Sequence, residues 1–315
     1  MQKQLNEILQ SHVVTSSATE VRDQILAGGF VVVNTDGVVY MGSAGGLDFD
    51  PLPPAKLATA VALLLPVKRG IISLDDDVIE TIPEFAALPV LCGFGDDGEP
   101  ILEAHDRAIT LRHLLSHNLG IGAHMAHPDL TQWSKYMGRR VNFMSHTLEE
   151  ITTPLKFAPR EGWYYGTALM GSSLSSFMQD NIFGRLSMEY TTFCPSQEDE
   201  ERMLAFIYAW APPLSIPEDF AFETSGSGLF SSPTVFARLL RGILLYKILR
   251  PETTDLLFTP QLNNSQRGIL MAIATYARDR RFAHELSPGA PLAHGPARIL
   301  NMADVRGKRR RGSMM

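Results

Sequence analysis

Two cysteines, Cys92 and Cys194, are all that 315 residues contain. That excludes a disulfide scaffold and any cysteine-rich metal centre. No run of about 18 uninterrupted apolar residues occurs, so nothing reads as a membrane-spanning helix. The opening MQKQLNEILQSHVVTSS lacks the apolar core of a secretory signal. Positive charge is not in excess either: 28 Lys and Arg stand against 34 Asp and Glu, a net charge of −6. Such a chain has no global basic field for nucleic acid or an anionic membrane. It does have 45% hydrophobic and 20% charged residues, a composition that buries a sizeable core. The expectation is a soluble, cytoplasmic, globular protein of one large or two small domains.

Residues 1–28 carry a helical pattern that Gly28-Gly29 would end. Phe30–Val33 and Val38–Met41 flank Asn34-Thr35-Asp36-Gly37, the signature of a β-hairpin. The run from Lys56 to Lys68 is apolar on nearly every face, which predicts a buried helix stopped by Gly70. Ser73-Leu74-Asp75-Asp76-Asp77 reads as the acidic start of another helix. Thr110 is the expected N-cap of TLRHLLSH, and further helices fit 171–181, 198–209 and 233–248. Arg298–Met302 reads as a late strand. A hairpin near one end and strand-like residues at the other suggest a sheet built from both chain ends around a helical insertion.

Five segments in register resemble the serine β-lactamase and penicillin-binding-protein group, in its esterase and transesterase branch that includes fungal enzymes of polyketide pathways. They are KRGIISLDDDV (68–78), AITLRHLLSHNLGIG (108–122), FAPREGWYYGTALMG (157–171), NIFGRLSMEYTTF (181–193) and SGSGLFSSPTVFARLLRGIL (225–244). The resemblance implies an α/β, β-lactamase-like fold, an antiparallel sheet flanked by helices plus an all-helical domain. Residues 1–55 and 230–315 would form the sheet subdomain, and 56–229 the mostly helical one. It implies no metal and no organic cofactor. The partner would be a small-molecule acyl substrate, with an acyl-carrier or polyketide synthase as donor.

Chemistry of this kind needs a serine that becomes acylated, a lysine one helical turn later that takes its proton, and a supporting tyrosine. Lys56 fits the lysine, because a desolvated amine at the start of an apolar helix can act as a base. By spacing alone it also fits a helix-end lysine reaching solvent. Tyr165 fits the tyrosine, selected over Tyr164 by the Trp163-x-Tyr165-Gly166 register. The resemblance sets Trp163, Ser227 and Gly228 at the substrate cleft and gives His117 a structural place in its loop. Arg160 stands where the family usually has glycine, so a turn needing positive φ there would be strained or remade.

The serine itself is missing. Pro53 occupies its position, and none of the seven lysines has a serine three residues earlier; the nearest mimic is Thr153-x-x-Lys156. The chain also stops at Met315, before the family's late Trp-Gly-Gly strand, which predicts an incomplete sheet with an open edge. The expected function is therefore an acyl-ester or acyl-thioester hydrolase or transesterase of secondary metabolism. The alternative is a catalytically inactive relative that binds a ligand or partner. Lys308–Arg311 reads as a solvated basic turn between strands.

Overall fold

The computed structural model describes residues 2–13, 27–45, 55–86, 88–122, 127–139, 152–166, 174–193, 229–279 and 286–315. In chain order the elements are α1 (Gln2–His12), β1 (Ala27–Val33), β2 (Val38–Gly45), α2 (Ala55–Lys68), β3 (Val90–Phe94) and β4 (Pro100–Glu103). They continue as α3 (Leu111–Leu115), α4 (Pro128–Tyr136), α5 (Leu174–Met178), α6 (Pro233–Leu244), α7 (Pro251–Leu257), α8 (Asn264–Asp279), β5 (Leu292–His294) and β6 (Ile299–Asn301). The strands form three antiparallel pairs, β1–β2, β3–β4 and β5–β6. Among the described residues no helix is long and apolar enough to cross a membrane.

The chain divides into two compact units. One comprises Met1–Ala58, Ser172–Asp219 and Ser227–Ile248; the other comprises Thr59–Gly171, Phe220–Gly226 and Leu249–Met315.

In the first unit the hairpin forms as its sequence predicts. Asn34 closes the turn, its Oδ1 accepting the Asp36 and Gly37 N–H groups, both at 2.9 Å. Tyr40 is buried and donates to Asn6 Oδ1 of α1 at 2.8 Å. α6 starts at a Ser232 cap followed by Pro233, buries Phe236, Ala237, Leu239 and Ile243, and packs on β1. Its Arg241 ties the hairpin turn by donating to the Thr35 and Asp36 carbonyls at 3.1–3.2 Å. α1 ends at His12 and Ala27–Gly29 belong to β1, so the glycine pair sits within a strand instead of ending a helix.

α2 is buried all round, as its apolar faces require, and continues through Pro66. It ends in a Schellman turn: Ile71 N–H reaches the Pro66 carbonyl, Gly70 N–H reaches Val67, and Gly70 takes φ +70°. The helix expected at 73–77 does not form. Asp76 instead accepts the Ser73 N–H at 2.7 Å and Asp77 that of Ile79, while Asp75 grips Arg112 through two bonds of 2.6 Å. These acids satisfy turns and a distant arginine, which competes with helix formation.

In the second unit α3 begins at Thr110 with a reciprocal cap. Thr110 Oγ1 accepts the His113 N–H at 3.3 Å, and His113 Nδ1 accepts the Thr110 N–H at 3.2 Å. α8 opens with a similar exchange between Asn263 and Gln266, both bonds 2.9 Å. Leu270 and Ala274 of α8 pack with Trp163, Leu262, Leu286 and Leu292 into one apolar cluster. α6 stops at Leu244, short of the expected 248, where Tyr246 turns to φ +54°. The helix expected at 198–209 lies outside the described residues.

Candidate active site

Two stretches of the second unit cross each other to build the platform that carries Tyr165. Lys156, Arg160 and Tyr164 donate their N–H groups to the carbonyls of Gly120, Asn118 and His117, at 2.8, 2.9 and 3.0 Å. Gly166 N–H then reaches His117 Nδ1 at 3.4 Å. The crossing is too close for side chains at two points. A Cβ on Gly120, already at φ +100°, would strike the Phe157 carbonyl oxygen, and one on Gly166 would strike that of Ile121. The glycine after Tyr165 is therefore a packing requirement of the motif.

The two adjacent tyrosines take different surroundings. Tyr164 is half-buried beside His127, ring centroids 5.5 Å apart, and burial pushes its hydroxyl pKa up. Tyr165 is 47% exposed and lies on the His117 ring, centroids 4.7 Å apart. His117, held at φ +57°, meets His294 edge-on at 5.1 Å and Trp163 at 6.4 Å. Trp163 is buried at 3% exposure, and its indole N–H meets no acceptor among the described residues. His294 is 2% exposed and donates from Nδ1 to the Gly295 carbonyl at 2.5 Å. Burial drives its pKa down to about 4, so the ring under His117 is neutral at neutral pH. Sequence reasoning missed His294; a lone histidine in LAHGPARIL carries no local signal of what it will pack against.

Lys56 is the second residue of α2, half-buried, in the first unit. The structure thus brings Tyr165, Trp163 and His117 together within the second unit, with Lys56 on the other. Pro53, Ser227 and Gly228 lie outside the described residues. The Thr153-x-x-Lys156 mimic fails on geometry. Thr153 is 1% exposed, and the Lys156 ammonium is held by Asp129 at 2.6 Å and by the Leu91 carbonyl at 3.3 Å. That contact also holds the Asp129 carboxyl below its usual range. A buried hydroxyl beside an ion-paired lysine is not an activated nucleophile.

Arg160 does take the conformation that glycine would, φ +74°. Its carbonyl accepts from Gln266 Nε2 at 2.8 Å, and its N–H from above is bound to Asn118. The turn is strained, not remade.

The sequence matches the Beta-lactamase family model over residues 23–277. The chain belongs to the beta-lactamase family. It is 30% identical to the lovastatin esterase of Penicillium rubens, over 95% of this chain and 78% of the esterase. It is 29% identical to the monacolin J acid methylbutanoyltransferase of Aspergillus terreus over 66% of this chain, which spans 55% of that enzyme. The unliganded simvastatin synthase of Aspergillus terreus shares the fold of this beta-lactamase-family chain, with a TM-score of 0.72 at 21% identity, covering 92% of this chain and 82% of that one. A mutant of the same synthase gives 0.67 at 25% identity, covering 84% and 72%.

Proposed function

We propose that this chain is an esterase or transesterase of the beta-lactamase family that moves an acyl group from an ester or thioester in polyketide secondary metabolism. The observation that carries this reading is the 30% identity to a lovastatin esterase across nearly the whole chain. The Tyr165 platform, kept down to its glycine, supports it. In this reading Lys56 takes the proton of the water or acceptor alcohol that attacks the acyl carbonyl, Tyr165 assists the transfer of that proton to the departing alcohol or thiol, and Trp163, Ser227 and Gly228 border the acyl cleft. The donor is a small acyl ester or thioester, presented by an acyl-carrier or polyketide synthase, and the setting is cytoplasmic. No nucleic acid or membrane enters it.

A second reading rests on Pro53. Proline has no hydroxyl, and removing a family nucleophile typically costs about 10⁴–10⁶ in rate. The chain would then bind the acyl ligand, or a protein partner, without turning it over. Intact-mass spectrometry after incubation with a butyryl thioester, on wild type and Pro53→Ser, separates the two. Wild-type turnover that is lost in Lys56→Ala and in Tyr165→Phe supports the enzyme. Acylation of Pro53→Ser alone supports a binding relative with its machinery intact. If neither protein turns over, acylates or is stabilised by the thioester, both readings fail.

A further inference from the structure

Three separate contacts tie His117 to the chain around Tyr165. Its backbone carbonyl accepts the Tyr164 N–H at 3.0 Å, and its Nδ1 accepts the Gly166 N–H at 3.4 Å. Its ring lies against the Tyr165 ring, centroids 4.7 Å apart and planes 38° off parallel. One residue thus holds the residue before the tyrosine, the peptide after it and the ring between. The family resemblance gives this histidine a structural place in its loop, and the backbone carbonyl alone would fill that place.

His117 is itself firmly held, in a conformation that costs energy. It sits at φ +57°, where a residue with a Cβ is uncommon and strain gathers at functional sites. Both neighbours are anchored. Ser116 is fully buried and its hydroxyl donates to the Arg112 carbonyl at 2.6 Å. Asn118 is buried too; its N–H reaches the His113 carbonyl at 3.2 Å and its carbonyl accepts from Arg160 at 2.9 Å. His294 backs the ring edge-on at 5.1 Å and Trp163 does so at 6.4 Å. A ring packed against three others keeps little rotamer freedom.

The same bonds fix where the protons are. A backbone N–H can only donate, so Nδ1 of His117 presents its lone pair to Gly166, and the neutral ring carries its proton on Nε2. His294 is the opposite case. A carbonyl can only accept, so its Nδ1 carries the proton given to Gly295 at 2.5 Å. With Nδ1 engaged and Nε2 protonated, His117 has no lone pair left for a substrate proton, so it acts through Tyr165 and not as a base. We propose that His117, as its neutral Nε2–H tautomer, is the positioning residue that sets the Tyr165 hydroxyl for proton transfer. This assignment rests on the acyl-transfer reading above and deepens it.

Two variants separate the bond from the strain. His117→Asn keeps an acceptor near the place of Nδ1 and tolerates positive φ, whereas His117→Gly accepts the turn but offers no acceptor. Turnover of a p-nitrophenyl ester is measured in whichever of the wild-type chain and Pro53→Ser is active. At unchanged KM, kcat is expected to fall about 10²-fold in His117→Gly and less than about tenfold in His117→Asn. Equal losses in the two variants overturn the proposal, as does a loss confined to KM or no loss at all.

Two readouts need no turnover. Nitrogen-15 histidine spectra of the unmutated chain at pH 7 should show His117 protonated at Nε2 alone; an Nδ1–H tautomer or an imidazolium overturns the proposal. The Gly166 amide should exchange with solvent roughly tenfold or more faster in His117→Gly than in wild type, and nearly as slowly as wild type in His117→Asn. Equal exchange in all three overturns the clamp. If His117→Gly does not fold, the tautomer and the behaviour of His117→Asn still decide. No turnover in either chain, with both spectra as expected, overturns the acyl-transfer reading and leaves the clamp. Turnover with the wrong tautomer overturns the clamp alone.

Discussion

In the proposed reading the Tyr165 platform and the start of α2 carry the two halves of one acyl-transfer chemistry, and the two regions differ. Around Tyr165 every close approach is respected: Gly120 and Gly166 leave room for facing carbonyls, and His117 is fixed by the Gly166 N–H and by His294. At α2 the helix and Lys56 stand, but the residue three positions earlier is Pro53. Packing around a reactive position does not require the reactive group, because hydrophobic burial and backbone bonding do not depend on one hydroxyl.

That contrast is broken most directly by restoring the hydroxyl. Pro53→Ser recreates Ser-x-x-Lys ahead of an intact helix. It is expected to raise acylation by a p-nitrophenyl ester by about 10³-fold or more over wild type, read as a burst and an acyl mass increment. Adding Lys56→Ala should erase the gain. No gain at all would mean that the α2 end has lost more than its hydroxyl.

The second effect is on the histidines that hold the second unit. His113 and His294 are both driven down to about 4, chiefly by burial, so the fold requires them neutral. An unfolded histidine, with its ordinary value near 6.5, binds the proton that the folded one refuses. Stability therefore is full above pH 6.5 and falls as pH drops from 6.5 towards 4, by at most about 1.4 kcal/mol per pH unit for each histidine. Urea midpoints at pH 7 and pH 5 measure it. His113→Gln keeps the reciprocal cap with Thr110 through a side chain that does not titrate, so its midpoint should depend less on pH. An unchanged slope would place the acid sensitivity elsewhere.

Gly166→Ala sharpens the comparison at the platform. The added Cβ meets the Ile121 carbonyl oxygen, a backbone atom that cannot swing aside. A loss of about 2–3 kcal/mol is expected, read as a fall in Tm.

What could be read in advance follows from how local each signal is. The Asn34–Gly37 turn, the all-round apolar α2 and the Thr110 cap are specified by residues a few positions apart, and each formed. The Ser73–Asp77 run carries the same local signals as a helix start, but Arg112 takes Asp75 and a turn takes Asp76. A partner 37 positions away outweighed a propensity worth tenths of a kcal/mol per residue. The site was legible in the same uneven way. Trp163-x-Tyr165-Gly166 is a contiguous motif, whereas His294 reaches His117 only after β5 and β6 have paired.

The smallest expected effect tests whether the arginine at 160, where the family resemblance sets a glycine, is a cost or an adaptation. Arg160 is exposed, so its side chain contributes little burial, and it holds φ +74°, where an L-residue loses about 1–2 kcal/mol. Glycine removes that strain but frees the unfolded chain, returning about 0.5–1 kcal/mol of the gain. The backbone bonds that fix the turn, from Arg160 N–H to Asn118 and from Gln266 to the Arg160 carbonyl, use no side-chain atom of residue 160. Arg160→Gly should therefore stabilise the protein by about 0.5–1 kcal/mol in urea unfolding. The guanidinium also helps hold His113 neutral and Asp75 charged through its field, so removing it should lessen the acid sensitivity as well. A destabilised Arg160→Gly would show that the arginine side chain has become part of the platform, and that the strain at this turn is compensated by contacts of its own.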